Sequence, residues 1–104
     1  MEKNDQLLMQ LIYMFHTSAM QGLGKIVDTN GQVIRNLEYV SQTIDLMKML
    51  KVKTKGNTTD EIDELLEGML LELDLNYVDE KAKQETKVKQ ETKFKQETKE
   101  SDDR

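Results

Sequence analysis

The chain has 104 residues, a formal net charge of −5 and no cysteine. It has room for one domain at most, and it cannot form disulfides, thiolate zinc sites or a cysteine nucleophile. Residues 1–78 carry all of the net negative charge, because residues 79–104 hold eight acids and eight bases. An acidic body disfavours nucleic acid as a partner, since affinity for phosphate backbones comes mainly from clustered lysine and arginine.

The N-terminal residues point to the cytosol. Glu2, Lys3 and Asp5 give the start of the chain more acid than base, which is the wrong sign for a secretory signal. The apolar run that follows is interrupted by Gln10 and His16 and is too polar to cross a bilayer. We therefore expect a cytosolic protein with no membrane contact.

The first helix is predicted over about residues 5–22. Asn4 or Asp5 is suited to the N-cap, and Gly22 and Gly24 supply the stop. Apolar residues on the predicted inner face follow the three-to-four spacing of a helix. They are Leu8, Leu11 or Ile12, Phe15, Ala19 and Leu23.

The other sides of this helix are apolar too, which indicates association. A helix that is hydrophobic nearly all round must be buried by other helices or by another subunit. The predicted association face consists of Leu7, Met9, Tyr13, Met14, His16 and Met20. Since twofold homodimers are the commonest solution, an antiparallel pairing of two first helices would place His16 near the contact.

Residues 25–35 leave two conformations open. Asn30–Gly31, flanked by Ile26–Val27 and Val33–Ile34, is a hairpin signal. The alternative is an irregular connection with one tight turn over residues 28–31, because an isolated two-stranded hairpin is marginally stable.

The second helix is predicted over residues 37–54, with Asn36 as its N-cap and Gly56 after its end. Leu37, Val40, Ile44 and Met47 form one stripe at helical spacing.

The third helix is predicted over residues 59–78. Thr58 and Glu61 match a capping box, so Thr58→Ala is expected to cost about 0.5–2 kcal/mol. Its stripe consists of Ile62, Leu66, Met69, Leu73 and Tyr77. Gly68 costs up to about 1 kcal/mol relative to alanine inside a helix, and a close helix crossing there would explain it.

Residues 79–104 are predicted to be a disordered charged tail. The tail repeats one hexad three times, from Lys83, Lys89 and Lys95. Residues six apart on a helix differ by about 240° in direction, so the few apolar side chains cannot line up into a face that packs. Transient helix is expected here, and deletion of residues 79–104 is expected to leave thermal unfolding nearly unchanged.

Nine segments of the chain form a pattern that is specific in order and spacing. They are residues 15–20, 23–26, 36–38, 42–46, 49–50, 53–57, 65–67, 70–73 and 76–78. Together they resemble a family of short bacterial proteins, domain of unknown function 1844. The resemblance covers roughly residues 7–78 and leaves the hexads outside. The resemblance implies a bacterial source and a helical fold. Because the family has no assigned activity, it transfers no catalytic or binding role to any residue.

No residue qualifies as a catalytic, cofactor-binding or metal-binding candidate. His16 is the only histidine, and its neighbours on the helix supply neither a carboxylate nor further ligands. The acids of the third helix are best explained as a solvated face. The sequence therefore predicts an all-α three-helix unit that is completed by homo-oligomerisation and acts as a non-enzymatic interaction or accessory protein. The alternative is a small-ligand-binding or enzyme-like protein whose pocket forms between subunits.

Overall fold

The computed structural model describes residues 2–102, and the side chains of residues 2–87. Three helices follow one another: α1 (Lys3–Gly22), α2 (Leu37–Lys53) and α3 (Asp60–Asp102). No strand occurs among the described residues, so the predicted all-α class and three-helix unit are confirmed. In that same range, no helix combines the length and hydropathy needed to cross a membrane.

One core lies between the three helices, and the predicted stripes form it. Leu8, Phe15 and Leu37 are partly buried against this core. Of the two candidates for the inner face of α1, Ile12 is buried in the core and Leu11 is exposed. Burying a side chain of this size is worth about 1.5–3 kcal/mol, so the core fixes how the helices face each other. The buried apolar residues are Ile12, Ala19, Leu23, Val40, Ile44, Met47, Ile62, Leu66, Met69, Leu70 and Leu73.

The close helix approach occurs at Gly22. A Cβ atom added to Gly22 would lie 2.7 Å from Cγ2 of Val40 and 3.3 Å from the carbonyl oxygen of Asn36. A Cβ added to Gly68 would meet nothing within 4 Å. The close crossing suggested at Gly68 is therefore absent within the described part of the chain, and α1 meets the start of α2 instead.

The end of α1 follows its glycine signal, whereas its start does not follow the predicted cap. Gly24 adopts a φ of 79°, and the N–H of Lys25 donates to the carbonyl of Met20 at 3.0 Å, as in a Schellman motif. The helix begins at Lys3 after Glu2, with no side-chain cap. The prediction of Asn4 or Asp5 as N-cap was wrong, because the helix starts before either residue.

The α1–α2 connection is irregular, which decides between the two conformations left open. The carboxylate of Asp28 accepts from the backbone N–H groups of Asn30 and Gln32, each at 2.9 Å. Gly31 has a φ of 76° and donates its N–H to the carbonyl of Asp28 at 3.0 Å. These bonds make one tight turn, and no strand ladder forms in the described chain.

A buried carboxylate on α3 fixes this connection. Glu80 is only 7% exposed. Its carboxylate accepts from Lys25 Nζ at 2.8 Å and also from the guanidinium of Arg35. Arg35 Nη2 donates in addition to the Glu80 carbonyl at 3.2 Å. Both ends of the connection are therefore tied to one side chain, and the packed part of the chain extends beyond the predicted boundary at residue 78.

The N-caps of α2 and α3 are an asparagine and a threonine. The α2 cap is the predicted residue, whereas the α3 cap lies one residue after the predicted one. Asn36 caps α2 as predicted, and its side chain accepts from the N–H of Tyr39 at 3.1 Å. At α3, Thr59 accepts from the N–H of Ile62 at 3.3 Å, while Thr58 bonds to the side chain of Asp63. The predicted capping box at Thr58 was wrong by one residue, because the neighbouring threonine offers the same hydroxyl.

Helix α3 is longer than predicted. It continues past Val78, the predicted end, to Asp102, because neither glycine nor proline follows Gly68 to stop it. Residues 81–87 are all exposed, so α1 and α2 do not cover this stretch. The side chains of residues 88–104 lie outside the described ones, and the predicted disorder of the tail stays a prediction.

Thr59→Ala is expected to lower the free energy of unfolding by about 0.5–2 kcal/mol, the usual cost of losing a capping side chain. Thr58→Ala is the matched control, with a smaller expected effect, since that hydroxyl bonds only a side chain. Urea unfolding monitored by circular dichroism measures both. An equal or larger loss in Thr58→Ala would contradict the assignment of the cap.

Glu80→Gln is expected to lower the free energy of unfolding by roughly 1–3 kcal/mol, because the charge-assisted hydrogen bonds to Lys25 and Arg35 are weakened or lost. The loss is limited because water still reaches both cations, which are partly exposed. Asp79→Asn is the control, since the partner of Asp79 among the described residues is the exposed Lys83.

Because Glu80 ties both ends of the connection, a chain ending at Val78 should melt below a chain ending at Lys87. This replaces the expectation that deleting residues 79–104 leaves thermal unfolding nearly unchanged, which did not include the burial of Glu80. Equal melting temperatures would show that Glu80 adds no stability.

Candidate functional site

The predicted association face of α1 is divided by the fold. Leu7, Tyr13 and Met14 lie outside the bundle, between 48 and 61% exposed. Met9, His16 and Met20 are half-buried. The face is therefore narrower than the sequence suggested, since half of its members are already partly covered within the chain.

The inward members are covered by the chain itself. Met9 and Met20 pack against the core. His16 faces α3, where its Nε2 lies 3.5 Å from Oε2 of Glu72. Sequence reasoning missed Glu72 because it considered only neighbours on the same helix. The placement of His16 at an antiparallel contact between two first helices does not fit this geometry.

His16 and Glu72 form a loose pair. Nε2 of His16 is buried and has no hydrogen-bond partner, and 3.5 Å is too long for a strong hydrogen bond to the carboxylate. Since Glu72 is about half exposed, water screens the interaction. The pair can orient the imidazole ring, and among the described residues Glu72 is the acid that lies within 4 Å of it.

The outer surface of α1 combines apolar and amide side chains. Leu7, Leu11 and Met14 follow a spacing of four and three and share one side of the helix. Next to them is a shallow depression of about 370 Å³. Its lining includes Gln10, Tyr13, Met14, Thr17, Ser18 and Gln21. A surface of this composition suits contact with another protein better than chemistry on a small molecule.

The outer side of α3 carries an apolar stripe that sequence reasoning missed. Leu71, Leu75 and Val78 are 62–65% exposed, and their spacing of four and three places them opposite the buried side of the helix. The signal was present in the sequence. It was overlooked because α3 was assigned one stripe only, the one that forms the core.

A groove of about 860 Å³ runs between α2 and α3. Lysines of α2 face carboxylates of α3 across it, with Lys48 Nζ 3.5 Å from Asp74 and Lys51 Nζ 3.2 Å from Glu67. Each cation in these pairs is already opposed by an anion, and exposed pairs of this kind contribute about 0–1 kcal/mol. The groove lies within one chain, unlike the pocket between subunits that the alternative function requires.

A metal site would need several carboxylate or imidazole side chains that converge on one point. Three or more histidine, aspartate or glutamate side chains that could together hold a metal ion do not occur among the described residues. The acids at the start of α3 point away from the core, where water solvates them. The surfaces that remain for function are the outer sides of the helices.

The family relationship is clear, and other comparisons add nothing to it. The family model described as Domain of unknown function (DUF1844) matches residues 6–80, so the chain belongs to this family. The match ends at Glu80, the residue that holds the connection. No curated protein and no solved structure matches the chain.

Proposed function

We propose that this member of the DUF1844 family is a non-enzymatic interaction protein of the cytosol that self-associates through the outer face of α1. The proposal keeps the three members of the predicted association face that the bundle leaves outside and adds Leu11, which the sequence had offered as an inner residue and which is exposed. We define this α1 face as Leu7, Leu11, Tyr13 and Met14. The observation that carries the proposal is the exposure of these large apolar side chains on one helix.

A monomer would leave the large apolar side chains of the α1 face in contact with water. Fully burying a leucine or methionine side chain is worth about 1.5–3 kcal/mol, and soluble monomers seldom keep a contiguous apolar patch exposed. The polar members of the same surface, Gln10, Thr17 and Gln21, supply the hydrogen-bonding rim that protein interfaces usually have. Packing of the α1 face against a second copy would remove its apolar side chains from water and give its amide and hydroxyl groups hydrogen-bond partners.

The face has few charges to remove from water. From Gln6 to Gln21 the chain carries no aspartate, glutamate, lysine or arginine. Interface cores are depleted of charged residues, because burying a charge without a partner is expensive. The outer sides of α2 and α3 have lysines and carboxylates beside their apolar residues, so α1 is the surface that association can bury at least cost.

Met14→Glu is expected to reduce the mass of the assembly, because a charge placed in the centre of the α1 face would be buried without a partner. Met49→Glu is the matched control, the same change at an exposed position of α2. Sedimentation equilibrium at micromolar concentration gives the mass of each variant, and circular dichroism confirms that both are folded. An unchanged mass in Met14→Glu, or a wild-type monomer, would contradict the proposal.

A further inference from the structure

The outer stripe of α3 is a second apolar surface without a partner in the chain. We define the α3 face as Gly68, Leu71, Leu75 and Val78. Its three large side chains are more exposed than any member of the α1 face. Leu75 and Val78 lie on the side of α3 turned away from α1 and α2, and Leu71 beside them borders the groove between α2 and α3.

Gly68 adds a gap to this stripe. It lies three residues before Leu71 and so belongs to the same side of the helix. Nothing lies within 4 Å of the position that its Cβ would take, so the fold itself gives no reason for glycine in place of alanine, the better helix former. A glycine on an apolar helical surface lets a second helix approach closely or accommodates a larger side chain from it.

The charges along α3 indicate the direction of such a helix. Between residues 60 and 80 the helix has nine acids and no lysine or arginine. The first bases of α3 follow immediately, at Lys81, Lys83 and Lys87. Two copies running parallel would set the acidic stretches side by side. In an antiparallel pair, the acids of the first turns, at residues 60–64, can lie next to Lys81, Lys83 and Lys87 of the other copy, while the middle of the acidic stretch still lies next to its own equivalent.

We propose that a second copy of the chain packs antiparallel along the α3 face, extending the proposed self-association to a second surface. The register follows from the side chains. When Leu71 lies opposite Leu75 of the second copy, Gly68 lies opposite Val78, because both pairs are centred on Leu73. The gap at Gly68 then receives the valine, and the first turns of α3 lie beside Lys81–Lys87 of the other chain.

The length of the contact fits a specific interface. Residues 60–87 span about 40 Å of helix at 1.5 Å per residue. The pairing is isologous, so each favourable contact occurs twice and the interface closes on itself. Because the flanking contacts are between exposed charges, the pairing should weaken as salt is added.

Sedimentation equilibrium of the full chain and three variants tests the proposal. With both faces in use, the wild type is a tetramer or larger, and Leu75→Glu and Met14→Glu are each dimers. The double variant is then a monomer. Leu75→Glu should raise the dissociation constant of the α3 pairing by about 100-fold or more, since each substitution appears twice in the interface.

The outcomes separate this proposal from the one for α1. If only the α3 pairing exists, the wild type and Met14→Glu are dimers and Leu75→Glu is a monomer. If only the α1 pairing exists, Leu75→Glu keeps the mass of the wild type, which overturns the α3 proposal. Leu75 is exposed, so its variant should fold, and Met49→Glu serves again as the control with unchanged mass.

Gly68→Ala distinguishes a close contact from an empty surface. In the Leu75→Glu background the alanine should raise the melting temperature, because it favours helix and meets no neighbour. In the wild-type background it should weaken association, because the methyl group fills the gap opposite Val78. Unchanged or stronger association in Gly68→Ala would overturn the proposed register.

Cross-linking tests the orientation, and the absence of cysteine from the chain makes it clean. Leu71→Cys and Leu75→Cys variants, each made without other changes, are mixed and oxidised. Antiparallel pairing predicts that disulfides between the two different variants form faster than disulfides between identical chains. Preference for identical chains would indicate parallel helices and overturn the proposal.

Discussion

A bundle of three helices can bury only the inner side of each helix, and this constraint governs the rest of the structure. The inner sides meet in one core around Ile12, Met47 and Leu73, which are fully covered. Any apolar side chain at another angle on its helix stays outside. The exposed faces of α1 and α3 are therefore consequences of the architecture, and the described residues form no fourth helix to cover them.

The ion pairs of Lys25 and Arg35 with Glu80 show how a specific polar contact adds to the stability of a small core. The α1–α2 connection exposes four β-branched residues, Ile26, Val27, Val33 and Ile34, so apolar burial does little to hold it. Its ends are instead held by ion pairs from Lys25 and Arg35 to one buried carboxylate. The Schellman turn at Gly24 brings Lys25 to that position. The turn at Gly24 and the two ion pairs to Glu80 thus fix the connection together.

Elements governed by local periodicity were predictable from the sequence. The stripe of Val40, Ile44 and Met47 and that of Ile62, Leu66 and Leu73 were identified and are buried, because helical spacing alone decides which residues share a face. The N-cap at Thr59 was missed by one position, since adjacent threonines give the same signal. The hairpin signal at Asn30–Gly31 gave only a turn, in keeping with the marginal stability of an isolated two-stranded hairpin.

Features that depend on contacts between distant segments could not be predicted in this way. Nothing local to Glu80 indicates that it is buried, because its partners are 45 and 55 residues away. The predicted association face of α1 was too broad for the same reason: His16 faces Glu72 of α3, and Met20 packs against the core. The α3 face was visible as a spacing, yet its exposure depends on which side of α3 the core occupies.

The central claim is that association completes this fold by covering apolar faces that the bundle cannot bury. The most direct measurement is the melting temperature of the full chain over about a hundredfold range of protein concentration. A structure stabilised by binding its own copies gains stability by mass action, so the melting temperature should rise steadily with concentration. A melting temperature that is the same at every concentration would mean that the three helices are stable alone, and would contradict the claim.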